Sequence, residues 1–188
     1  MHHRIFIAIN LPENIRRKLS EYEDKWLELP CRWTKKENIH ITLAFLGYLT
    51  DEELLDVCKI AEESALRNKS FSINLNKITY GPSGRAPRMI WAEGEKSEEL
   101  KKLQKDLENS LAGLSPEIEN DKGRGFAPHI TLGRLKQWEF RKMEPEERPK
   151  VDEEIDLSFE VNSIEVMESN LKRGGPEYIV LESRELGR

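Results

Sequence analysis

Two cysteines, Cys31 and Cys58, carry all the thiol chemistry in 188 residues, and their spacing fits neither a metal knuckle nor a disulfide framework. A disulfide-stapled scaffold is thereby excluded, and a reducing, cytoplasmic location is the default expectation. No apolar run approaches the roughly 18 residues that a membrane span requires, and the first residues lack the apolar stretch of a signal peptide. Histidine is nearly as scarce. Of four, His2 and His3 sit at the extreme N-terminus, where added residues are one plausible origin. A surplus of positive charge is missing too. The 30 Lys and Arg against 35 Asp and Glu leave a net charge of −5. A protein that coats a long duplex by neutralising phosphates is normally basic, so any nucleic-acid contact should be short, an end or a few nucleotides. Gly123-Arg124-Gly125 lacks the third glycine and the lysine of a nucleotide-binding loop, which argues against a site that activates its substrate with ATP.

What is present is a charge-rich but foldable mixture, 37% hydrophobic and 35% charged, long enough for one domain or for two small lobes sharing a core. Arg4–Asn10 is β-branched and aromatic and reads as a strand. Pro12 then suits a first helical turn, and Ile15, Leu19, Tyr22, Trp26 and Leu29 form one apolar helix face that Pro30 ends. Asn38–Gly47 is a strongly apolar strand. Thr50 with Glu53 has capping-box form and opens a helix to about Arg67, with Leu54, Cys58, Ala61 and Ala65 inward. Phe71–Tyr80 alternates as a strand, Gly81–Pro87 is a loop, and Arg88–Ala92 is a further strand. Ser97 caps a helix carrying Leu100, Leu103, Leu107 and Leu111. Phe126–Arg134 reads as a strand, Gln137–Glu154 as an exposed loop or short helix, and Ile155–Glu168 and Tyr178–Ser183 as closing strands. Short parallel crossovers are scarce, so the class is α+β with antiparallel pairing.

Both internal histidines begin the same tetrapeptide, His-Ile-Thr-Leu, at His40–Leu43 and at His129–Leu132, one copy in each half. On a strand, side chains alternate between faces. His40 and Thr42 therefore share one face and Ile41 and Leu43 the other, and His129 with Thr131 opposes Ile130 and Leu132. If the halves pack about a pseudo-twofold axis, two imidazoles and two hydroxyls face one pocket. One imidazole can take a proton from water while the other gives one to a departing ribose oxygen, and both titrate near neutral pH. The threonine hydroxyls can hold non-bridging phosphate oxygens. No carboxylate or thiol lies at ligand spacing from either histidine, so this scheme needs no metal and no other cofactor. A single His-x-Thr triplet arises readily by chance, and a lone strand histidine is more often structural. The identical repeat is what favours chemistry.

At these residues the chain resembles the 2H phosphoesterases, and within them the RNA 2′,3′-cyclic phosphodiesterases once called 2′-5′ RNA ligases. The resemblance spans RIFIAINLP at Arg4–Pro12, Arg32-Trp33, Glu37–Gly47, Arg88–Ala92, Phe126–Arg134, Met167–Leu171 and Gly175–Tyr178. It implies a bilobal, duplicated α+β fold over residues 1–188, with two pseudo-symmetric antiparallel sheets flanking a central cleft and helices outside. It implies metal-independent hydrolysis of RNA 2′,3′-cyclic phosphate ends to 2′-phosphates, a weaker reverse 2′-5′ ligation, and a monomer that binds RNA 3′ ends or short nucleotides and no membrane. His40 and His129 become the acid–base pair. His40 is taken as the acid and His129 as the base, although the pseudo-symmetry makes them nearly interchangeable. Thr42 and Thr131 become phosphate clamps.

Arg134 carries over as a transition-state cation, but strict alternation points it away from the pocket unless the strand bends near Gly133. Phe45, in the corresponding place after the first motif, is a candidate to stack on a terminal base, with core packing equally open. Arg32, Arg85, Arg88, Lys122 and Arg124 are weaker phosphate-contact candidates, and Tyr178 and Trp33 weaker stacking candidates. Two alternatives stay open: a related enzyme acting on a small cyclic nucleotide, ADP-ribose cyclic phosphate or 2′-5′ oligoadenylate, and a non-catalytic RNA-end binding module.

Overall fold

The computed structural model describes residues 2–114 and 129–187. Within them the chain runs β1 (His2–Asn10), α1 (Glu13–Ser20), a 3-10 segment (Glu21–Trp26), β2 (Cys31–Trp33), β3 (His40–Thr50), α2 (Asp51–Arg67), β4 (Phe71–Gly81), β5 (Met89–Gly94) and α3 (Glu98–Ser110). After the undescribed segment come β6 (His129–Leu135), α4 (Gln137–Lys142), β7 (Asp152–Val161), β8 (Ser163–Lys172) and β9 (Gly175–Glu185). Every strand-to-strand ladder among the described residues is antiparallel.

The strand order β7-β4-β5-β6-β3-β1-β8-β9 has a midpoint at β6 and β3, where Ile41 opposite Ile130 is the sole paired position. Two four-stranded halves meet there, with β2 added beside β6. The order reads alike outward from either side of the midpoint. A strand–helix–strand unit, β1-α1-β3 or β5-α3-β6, supplies the two inner strands of each half. The mixed α+β architecture with paired antiparallel sheets is therefore present, and the two sheets touch at one backbone pair.

Alternation assigns the two faces. Ile5, Ile7 and Ile9 of β1, Ile41 and Leu43 of β3, Ile90 and Ala92 of β5, and Ile130 and Leu132 of β6 all enter the main core together with Val57, Ala61, Leu100, Leu103 and Leu107 of the helices. The opposite face carries a small cluster of Phe6, Ala8 and Met167, with Phe45 and Tyr178 against it. Helices thus cover one face and leave the other open.

Three local readings change. The apolar stripe that begins at Ile15 is helical only to Ser20 and then tightens to 3-10 form. At that point the Ser20 hydroxyl donates to the Arg17 carbonyl at 2.8 Å, a side-chain bond that competes with helix continuation. On α2 the capping box forms as read, but Val57 and Ser64 are buried with Ala61 and Ala65, while Leu54 and Cys58 stay at the margin. Ile155–Glu168 is two strands. Apolar residues fall at odd positions through Val161 and then at Ile164 and Val166, and the phase slip at Asn162 carries the chain from one half-sheet to the other.

Candidate active site

The Ile41–Ile130 pair fixes the arrangement of the site. In an antiparallel ladder it sets His40 across from Thr131 and Thr42 across from His129, all on the face that the helices leave open. A cleft of about 540 Å³ lies there, and both histidines and both threonines line it.

Each motif strand contains a bulge at the same place. On β3, Ala8 is opposite Thr42 and Ile7 opposite Ala44, so Leu43 is the extra residue. On β6, Trp91 is opposite Thr131 and Ile90 opposite Gly133, so Leu132 is the extra residue. A bulge resets the alternation. It turns Phe45 and Arg134 onto the histidine face, and both line the cleft. The bend that Arg134 required is thus one residue earlier than Gly133, and Gly133 serves another purpose. A Cβ there would lie 2.4 Å from Cys31 Sγ and 3.1 Å from Trp33 Cε3, so glycine lets β2 approach β6.

The two histidines have different surroundings despite the symmetry. His40 Nδ1–H donates to the Asn38 carbonyl at 2.7 Å, which leaves Nε2 to accept from the Thr42 hydroxyl at 2.9 Å in the neutral ring. Nε2 is therefore the ring nitrogen not committed to the backbone. Buried Asn38 is itself held, donating from Nδ2 to the Pro176 carbonyl at 2.8 Å. Phe6 and Tyr178 enclose the His40 ring, with centroids 5.1 and 5.3 Å away. Burial is the main force holding the His40 pKa below the ordinary imidazole value. The Asn38 carbonyl opposes it, and the charges of Arg134 and His129 add to it. Burial also raises the Tyr178 phenol, which stays neutral. His129 instead lies flat on Trp91, with centroids 3.8 Å apart and planes at 22°. The Trp91 ring leans over Gly81 of β4, where a Cβ would fall 2.2 Å from Trp91 Cδ2.

Four cationic side chains, Arg4, Arg32, Lys35 and Arg134, border the cleft, and no Asp or Glu does so among the described lining residues. In a chain of net charge −5 that segregation defines an anion site. Arg4 sits over the Phe45 ring at 4.9 Å and donates to Ser169 Oγ at 3.3 Å, and Arg134 approaches Met89 Sδ at 3.4 Å. Among the described residues no group of three or more His, Cys, Asp or Glu is arranged to hold a metal ion.

Of the weaker candidates, Arg32, Trp33 and Tyr178 reach the cleft, while Arg85 and Arg88 do not line it. Lys122, Arg124 and the Phe126–Pro128 part of the second motif block lie outside the described residues. Trp91, Phe6, Arg4 and Asn38 escaped the sequence reading as site residues. Their signal lay in ladder register, which a single sequence does not display.

Paired His-x-Thr strands meeting at the midpoint of a duplicated antiparallel sheet, over an anion-seeking cleft, define a phosphoesterase of the two-histidine type. The family described as LigT like Phosphoesterase matches residues 7–91 and 93–178, one segment around each His-Ile-Thr-Leu copy, and the chain belongs to it. A Thermotoga maritima protein named RNA 2′,3′-cyclic phosphodiesterase is 30% identical over 183 residues, covering 95% of this chain and 92% of that one. The crystal structure of TT0787 from Thermus thermophilus superposes with a TM-score of 0.82 at 31% identity, covering 97% of each chain. An Escherichia coli LigT structure complexed with 3′-AMP gives a TM-score of 0.75 at 25% identity, covering 100% of this chain and 99% of that one.

Proposed function

We propose that the protein hydrolyses RNA 2′,3′-cyclic phosphate ends to 2′-phosphates by two-histidine acid–base catalysis without a metal. The observation that carries the reading is the convergence of two dyad-related His-Thr pairs on one cleft lined by cations and by no described carboxylate. His129, as base, takes a proton from water, and the water oxygen bonds to phosphorus. The bond from phosphorus to the ribose 3′ oxygen breaks. His40, as acid, donates its Nε2 proton to that oxygen, leaving a free 3′-hydroxyl and a 2′-phosphate. Thr42 and Thr131 hold non-bridging oxygens, and Arg134 meets the charge that builds at the pentavalent phosphorus. Phe45, which lines the cleft, stacks on the terminal base. Run forward with an RNA 5′-hydroxyl in place of water, the same steps open the cyclic phosphate to a 2′-5′ linkage and a free 3′-hydroxyl, and run backwards from that linkage they cleave it.

His40 is neutral in the free protein near pH 7, so it gains its catalytic proton together with the substrate. The bound phosphodiester anion offsets the field of Arg134 and favours the imidazolium.

The test is an assay in excess chelator on an oligonucleotide ending in a 2′,3′-cyclic phosphate, with the product isomer identified. Turnover to the 2′-phosphate is expected. His40→Ala and His129→Ala should each lower it by about two to four orders of magnitude, and Thr42→Ala or Thr131→Ala by roughly 1–3 kcal/mol of transition-state stabilisation. Loss of turnover in chelator overturns the metal-free mechanism. Binding without turnover in the wild type marks a binding module instead.

A further inference from the structure

Arg32 of β2 stands directly opposite Arg134 of β6. Directly opposed residues of an antiparallel pair share a face with Cβ atoms about 5 Å apart, and like charges there are destabilising. Neither guanidinium has an ion-pair partner among the described residues, and both border the cleft. Lys35, two residues beyond β2, borders it as well. Its neighbour Lys36 turns elsewhere and pairs with Glu13 at 2.6 Å. The carboxylate that feels the charge of Lys35, Glu177, is held by Lys172. A group of cations with no ion-pair partner among the described residues is stable with anions among them.

One phosphate does not account for all of them. Arg134 is one bulged step along β6 from Thr131 and lines the same cleft as both histidines. Arg32 lies on the neighbouring strand, a further spacing of about 4.8 Å from β6. A terminal ribose with a 2′,3′-cyclic phosphate carries its link to the rest of the chain on the 5′ oxygen, at the other side of the same sugar. A linear RNA end therefore presents two phosphates one nucleotide apart, matching the two cationic positions.

We propose that Arg32, assisted by Lys35, seats the phosphate on the 5′ side of the terminal ribose and so makes the protein selective for oligonucleotide ends over a bare nucleoside 2′,3′-cyclic phosphate. This rests on the cyclic phosphodiesterase reading and names the part of the substrate that reading leaves open. Arg32 is exposed on a three-residue strand, and its replacement removes no core contact.

The experiment compares three substrates: a nucleoside 2′,3′-cyclic phosphate, a dinucleotide with the same cyclic end, and that dinucleotide with an uncharged methylphosphonate link. In the wild type the natural dinucleotide should exceed the mononucleotide in kcat/KM by about ten- to a hundredfold, as a charge-assisted contact implies. The methylphosphonate should lose that advantage. In Arg32→Ala and Arg32→Gln the natural dinucleotide should fall to the level of the methylphosphonate. The inference is overturned if both variants lower all three substrates by one factor, or if the wild type treats the charged and uncharged links alike. Turnover of none of the three by the wild type removes the cyclic phosphodiesterase reading itself, and the subsite with it.

Discussion

The His40 ring shows how one residue is tuned by its surroundings. Burial, with Arg134 and His129 nearby, disfavours its charged form. In the acid role proposed for it, it must carry a proton, and it does so below its own pKa. The high-pH limb of kcat/KM, which reports the free protein, should therefore begin below the ordinary imidazole value. The corresponding limb of kcat should lie at higher pH, because the bound phosphate restores the proton. Arg134→Gln removes a lowering influence and should move the His40 titration upward in NMR of the free protein. A His40 titration unmoved by that substitution would show that the Arg134 field does not reach the ring. His129 in turn packs flat on Trp91. Trp91→Leu should cut kcat more than it raises KM, with Trp91→Phe retaining most of the rate. Gly81→Ala should produce the same kcat defect from beneath the indole, because its Cβ falls 2.2 Å from Trp91 Cδ2. Kinetics indistinguishable from wild type in both Gly81→Ala and Trp91→Leu would remove Trp91 from any positioning role. The histidines were legible because a repeated tetrapeptide held both internal copies of a scarce residue. Trp91 was not, since RMIWA reads as an ordinary buried strand, and only the ladder register shows which histidine its ring meets.

At the scale of elements, strand and helix placement followed from periodicity and capping, as Thr50 with Glu53 and Ser97 with Leu100 illustrate. The bulges did not. Strict alternation places Phe45 and Arg134 on the core side, and one extra residue at Leu43 and at Leu132 reverses both. A bulge depends on what the partner strand pairs with, so it has no local signature. Gly133, the residue after the bulge, tests instead the geometry of β2 on β6. Gly133→Ala should cost about 1–3 kcal/mol of stability by overpacking against Cys31 and Trp33. Cys31→Ala removes the nearer obstacle, a partly buried thiol that stays neutral because burial pushes its pKa up to about 12. The double variant should therefore recover much of the loss, read as a coupling energy in denaturant unfolding. Strictly additive effects would mean that the glycine is needed for some reason other than room for the thiol. The last strands carry a similar lesson. The change from odd to even apolar positions at Asn162 is visible in the sequence, but only the two different partners of β7 and β8 give it meaning.

At the scale of the molecule, the two halves share one backbone pair at the midpoint, yet neither half-sheet is built from its own half of the chain. β8 and β9 come from the C-terminal half and complete the sheet that begins with β1 and β3, while β2 crosses from the N-terminal half to join β6. α3, which links β5 to β6, packs on α2 and β3 of the other half. Asp106 of α3 anchors that contact by accepting from Ser64 at 2.8 Å, Asn68 at 3.1 Å and Arg67 at 3.2 Å. One hydrophobic cluster contains residues of both halves throughout. We propose on this basis that the two lobes form a single cooperative unit, and that the exchange of elements keeps the two histidine strands at a fixed distance. Thermal unfolding should then be one transition, with calorimetric and van't Hoff enthalpies equal. Separately produced fragments 1–92 and 93–188 should each lack a cooperative transition, because the first loses β8 and β9 from its sheet and the second loses β2, β4 and most of β5. Two resolved transitions in the intact chain, or a folded fragment, would show that the lobes hold themselves together independently. The spacing of the catalytic pair would then rest on the Ile41–Ile130 contact alone, which is too small an interface to hold two imidazoles in register across a reacting phosphorus.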